Sequence, residues 1–115
     1  MPALRYGKQG KSMVYKVVVT EHAENLIDKL INYILYNLKN RQAAKHLLDG
    51  IESVYDRLGV NPYQFPICRD MYLARKGYRE AIVPQMKYII VFGIQDDVVN
   101  VVGVFHQLEA YEQKL

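Results

Sequence analysis

At 115 residues the chain can form one domain with a single core, not two. Its 50% hydrophobic and 23% charged residues are ordinary for a globular protein, and no apolar run approaches the roughly 20 residues that cross a bilayer. The excess of 15 Lys and Arg over 12 Asp and Glu is wholly accounted for by Arg5, Lys8 and Lys11, so the body of the chain is neutral and bulk charge gives no argument for nucleic-acid binding.

Residues 1–12 lack periodicity and acids, which predicts a flexible basic extension, with Met13 a natural start for a single domain over 13–115. The segment is polar, unlike a secretory leader. Tyr15–Thr20 alternates as a strand, and Thr20 is placed to cap a helix that opens with Glu21 and Glu24. From Ala23 through Leu26, Ile27, Leu30, Ile31, Ile34 and Leu35 to Leu38, apolar residues recur at steps that make one continuous helical stripe. Asn40 caps a second helix with a stripe of Ala44, Leu47, Leu48, Ile51, Tyr55 and Leu58, ending at Gly59. The short connection folds the two back as an antiparallel hairpin.

Residues 59–76 hold Gly59, Pro62 and Pro66 without either period and read as a connecting loop. Three β-strands follow, turning at Pro84-Gln85 and at Gln95-Asp96-Asp97, and a short helix is expected after Gln107. The order β-α-α-β-β-β predicts an α+β fold, a helical hairpin packed on one face of a small, mainly antiparallel sheet. The second of these strands is apolar on both faces, Ile89 and Val91 against Ile90, Phe92 and Ile94. The third sets Val98, Val102 and Val104 against Val99, Val101 and Phe105. One hairpin covers one face, so the other needs either a partner chain, including a second copy in a homo-oligomer, or the chain's own loop and tail.

The lone Cys68 excludes an internal disulfide and fits the reducing cytoplasm. His22, His46 and His106 lack metal-ligand spacing, and no Gly-rich phosphate loop is present, so neither metal nor nucleotide cofactor is expected.

Over residues 13–115 the chain resembles the RelE/ParE superfamily of bacterial type II toxins. The likeness is carried by YKVVVTEHAENLIDKLINYI, AAKHLLDGIESVYDRL, the loop phrases FP, RD and KGYR, and the Tyr-led apolar strand of KYIIVFGIQDDVVNVVGVFH. It implies a small cytoplasmic toxin neutralised by a cognate antitoxin. Two targets are open: the ribosome, where RelE-like members cleave mRNA without metal, and DNA gyrase, which ParE-like members inhibit without catalysis. A degenerate member that binds antitoxin but is no longer toxic is a third reading. The leading expectation is ribosome-dependent mRNA cleavage.

Such cleavage needs the phosphorane's charge neutralised and the leaving oxygen protonated. Arg79 matches the family's strand-borne cation, Lys87 the basic residue before the Tyr, and His106 the His or Tyr near the end of the last strand. The resemblance therefore implies Arg79 and Lys87 as phosphate stabilisers, His106 as proton donor, and Arg75 and Lys76 as RNA contacts. Each also has a structural reading: an Arg79 ion pair with Glu80 or Asp70, a solvated Lys87, a hydrogen-bonded His106 and ordinary loop charges at Arg75 and Lys76. Two departures stand out. Tyr88 is followed by Ile89 where such nucleases carry Arg, and His106 by Gln107 and Leu108 where a pair of arginines is common.

Overall fold

The computed structural model describes residues 4–6 and 14–107. Strands β1 (Leu4–Tyr6), β2 (Lys16–Val19), β3 (Arg79–Ile82), β4 (Tyr88–Gln95) and β5 (Val98–His106) form one sheet in the order β1-β2-β5-β4-β3. All neighbours are antiparallel except β2 and β5. The parallel partners are far apart in the chain: after β2 it passes through the helices, re-enters the sheet at β3 on the opposite edge and reaches β5 only after β4, the long connection that parallel strands require. Three residues of the leading segment thus form an edge strand where only a flexible extension was expected; the rest of residues 1–12 lies outside the described residues.

Helices α1 (Glu21–Asn32) and α2 (Arg41–Val60) form the expected hairpin. Thr20 Oγ1 accepts from the Ala23 amide at 3.1 Å, and Asn40 Oδ1 from the Ala43 amide at 3.0 Å. Both caps satisfy otherwise orphaned donors of a first helical turn. Val17, Val19, Leu47, Ile51, Val54 and Leu58 lie in the principal core between the hairpin and the sheet. α2 comes so close to the chain just beyond β3 that a Cβ built on Gly50 would lie 2.5 Å from Val83 Cγ1. Val14 and Tyr15 both donate their amides to the Gly59 carbonyl, at 3.0 Å each, which ties the entry to β2 against the end of α2.

Three local features depart from simple periodicity. α1 ends in a π turn over Tyr33–Asn37, in which the Leu38 amide reaches back to the Tyr33 carbonyl. The wider turn and the reversal at Lys39, whose φ is 51°, lift Leu38 off the apolar stripe and leave it 55% exposed. In β5, Val101 faces Phe92 and Gly103 faces Val91, leaving Val102 unopposed. That bulge reverses the alternation, so Val104 joins Val99 and Val101 under the helices while Val102 and Phe105 face the other way. The predicted grouping of Val98, Val102 and Val104 is thereby corrected.

The third departure is the segment expected to be a plain connecting loop. It contains a 3-10 turn (Pro62–Gln64) and a short helix α3 (Met71–Arg75), capped by Asp70 Oδ1, which accepts from the Leu73 amide at 3.0 Å. Cys68 and Leu73, with Tyr78 at their edge, seal Ile89, Val91 and Phe105 on the second face of the sheet. The chain's own loop therefore covers the centre of that face. The expected helix after Gln107 lies outside the described residues.

Candidate functional site

Arg79 opens β3 opposite Phe92, and an isolated bridge joins it to Ile67. Its Nη1 donates to the Phe65 carbonyl at 2.6 Å, and its guanidinium lies 5.0 Å from the centre of the Tyr63 ring. Beside it, the Arg57 guanidinium lies 4.6 Å over the Phe65 ring and donates to Gln64 Oε1 through Nε and Nη2. Phe65 meets Phe92 edge-on at 5.9 Å. Arg57 and Arg79 thus clamp the 3-10 turn to α2 and β3, with cation–π contacts and charge-assisted hydrogen bonds as the fastening. Arg57 was not singled out in the sequence, because its partners Gln64 and Phe65 lie beyond the end of its helix, where no periodicity marks them.

The predicted alternatives for Arg79 are taken by other groups. Glu80, on the opposite face of β3, is buried and accepts from the Arg69 amide at 3.0 Å and from Arg69 Nε at 2.9 Å. Asp70 is spent on the α3 cap.

Lys87 and His106 meet at one end of the sheet. Tyr88 pairs with His106 in register, and the two rings meet edge-on at 5.5 Å. Lys87 is exposed beside them, and its carbonyl accepts from the Gln107 amide at 3.0 Å. Arg79 is elsewhere. Its partner Phe92 lies four residues along β4 from Tyr88, roughly 13 Å at the usual strand rise, and β3 and β5 flank β4 on opposite sides. Arg75 and Lys76 sit at the end of α3, over the second face of the sheet and exposed. Lys76 Nζ lies 4.7 Å from the Tyr72 ring centre, and a hydrogen bond to that phenol raises the pKa of the ammonium. The five candidate residues are therefore divided among three places: Lys87 with His106, Arg79 in the clamp, and Arg75 with Lys76 on α3.

Two buried titratable groups shape the remainder. Burial, with the charges of Glu80 and Asp70 adding to it, pushes the Cys68 thiol up to about 12. A thiol so held is protonated at neutral pH and is a poor nucleophile. Because the unfolded thiol ionises first, stability contributed by Cys68 is present below about pH 8.5 and lost as pH rises towards 12. Native protein at pH 8 is accordingly expected to resist iodoacetamide while urea-unfolded protein is alkylated; equal rates in the two states would contradict it.

Between α1 and α2 lies a largely apolar groove of about 400 Å³, lined by Val19, Ile27, Leu48 and Ile51 with Glu24, Glu52 and Tyr55. Burial, with Glu24's charge behind it, holds the Tyr55 phenol well above its usual range. Among the described residues, no group of three or more His, Cys, Asp or Glu side chains could hold a metal ion, and no helix is long and apolar enough to cross a membrane.

A helical hairpin packed on a mixed open sheet, in this element order, is the RelE/ParE-like α+β fold. Residues 17–111 match the family model described as the ParE toxin of the type II toxin-antitoxin system, parDE, and the chain belongs to that family. A comparison with curated proteins found no match. Membership makes the chain a toxin of a type II system and implies an antitoxin as its partner.

Proposed function

We propose that the chain arrests growth by binding DNA gyrase in the cytoplasm, without catalysis of its own, and that its cognate antitoxin relieves the arrest. The observation that carries this reading is the dispersal of the candidate cations. Arg79, the residue best placed by family resemblance to stabilise a phosphorane, is anchored by Nη1 on the Phe65 carbonyl and lies against the Tyr63 ring. Ile89, at the position where nucleases of the superfamily carry an arginine, is fully buried under α3 and Cys68. A phosphoryl-transfer site needs its charges preorganised around one group, and these residues have been absorbed into packing. The family match to ParE supports the same choice.

Ribosome-dependent mRNA cleavage is the second reading, favoured by the meeting of Lys87, Tyr88 and His106 at one strand end. The two are separated by giving the purified chain to gyrase with relaxed plasmid and, separately, to translating ribosomes. Blocked supercoiling with mRNA left intact is expected, and His106→Ala should inhibit as well as the unaltered chain. Cleavage of mRNA that disappears in His106→Ala would overturn the proposal. Growth unaffected by induction would instead identify a member that is no longer toxic.

A further inference from the structure

The turn of the helical hairpin has a surface that packing does not explain. From Lys29 to Leu48 the chain carries no Asp or Glu, while Lys29, Lys39, Arg41 and Lys45 all fall within it. Lys45 is paired with Asp49 at 3.4 Å, and Lys29, Lys39 and Arg41 are exposed. Amid these cations Tyr33, Tyr36 and Leu38 stand 51%, 72% and 55% exposed. Tyr33 and Tyr36 belong to the π turn, and Leu38 closes it. Single-turn π segments of this kind are found disproportionately at functional sites.

We infer that this hairpin tip, with Tyr33, Tyr36 and Leu38 set among Lys29, Lys39 and Arg41, is the surface by which the chain docks on an acidic, partly apolar face of its protein target. The inference rests on the gyrase reading above and names the part of the toxin that makes the contact. Charge complementarity selects the occupant. A cationic tip whose own residues 29–48 include no acid attracts an acidic surface and steers its approach, and exposed tyrosines beside arginine are the composition of interface centres. A nucleic-acid backbone fits less well. Single-stranded binding uses a basic groove that follows the strand, whereas these cations surround one helical turn and an aliphatic leucine.

The test compares the full-length chain with its Tyr36→Gln, Lys39→Asn, Arg41→Glu triple variant, by inhibition of gyrase on relaxed plasmid and by growth on induction. The replacements suit their backbone: Gln is a good helix former, Asn tolerates the left-handed conformation of Lys39, and an acid at residue 41 favours the N-terminus of α2. The variant should therefore melt like the parent. Its inhibitory concentration is expected to rise roughly tenfold or more, with growth arrest relieved and the parent's inhibition weakening as salt rises.

Inhibition and arrest by the variant equal to the parent's would overturn the inference and leave the gyrase reading standing. If the parent arrests growth while supercoiling proceeds, the gyrase reading falls, and the tip stands or falls on whether the variant relieves the arrest. A parent that neither arrests growth nor blocks supercoiling overturns both. A random-sequence duplex bound by the parent and not by the variant would reassign the tip to nucleic acid. A dimer lost in the variant would reassign it to a second copy of the chain. Either result overturns the inference.

Discussion

Phe92→Ala is expected to lower the unfolding free energy by about 3–5 kcal/mol, the usual cost of truncating a fully buried aromatic. At roughly 4 °C per kcal/mol, between the values for smaller and larger domains, the melting temperature should fall by roughly 12–20 °C. Phe92 lies in the middle of β4, pairs with Arg79 on one side and Val101 on the other, and is completely buried. Its ring is also the surface on which Phe65 rests edge-on at 5.9 Å, and Phe65 in turn carries Arg57. Truncation therefore opens a cavity and loosens the clamp that Arg57 and Arg79 make around the 3-10 turn. Urea denaturation of the two proteins measures the difference. A loss below about 1 kcal/mol would mean that the site collapses around the smaller side chain, against the close packing described.

Glu80→Ala is expected to cost about 2–3 kcal/mol, and Arg69→Ala distinctly less. The asymmetry comes from what each truncation leaves behind. Glu80 is 4% exposed and accepts two hydrogen bonds, one from the Arg69 side chain and one from the Arg69 backbone amide. Without the carboxylate, that amide loses its acceptor next to the α3 cap, and hydrogen bonds to a charged acceptor are worth about 1.5–3 kcal/mol. Truncating Arg69, whose side chain is 67% exposed, leaves the amide bond intact, and although it takes one donor from the buried Glu80 carboxylate, the exposed space it vacates admits water to that oxygen, which limits the cost. A double-mutant cycle read by urea denaturation separates the two terms. Equal losses for Arg69→Ala and Glu80→Ala would place the energy in the ion pair rather than in the backbone anchor. Loosening this anchor also frees the segment that lids Ile89, Val91 and Phe105.

These residues show why the hairpin was easier to read than the candidate site. The stripes from Ala23 to Leu35 and from Ala44 to Leu58 repeat over many turns, and the caps at Thr20 and Asn40 are chemically specific. Such signals survive in one dimension because each residue reports on its own face. Leu38 departs from its stripe only because hydrogen bonding switches to the π pattern just before the reversal. Strand β1 is three residues long, too short for alternation to register. The role of Arg79 depends on Phe65 and Tyr63, that of Glu80 on Arg69, and neither partner is marked by a spacing rule.

By itself the chain's order of residues determined the element succession, the two helical stripes, the opposed apolar faces of β4 and the likeness to a toxin superfamily, because these rest on local periodicity and short motifs. Only the tertiary structure decided what the cations do and what covers the sheet. An arginine's role is set by whichever acceptor or ring reaches it across the fold, and a strand's outer face is closed or open according to where a distant loop lands. Here the loop lands on that face, and Arg79 is spent holding its first turn in place.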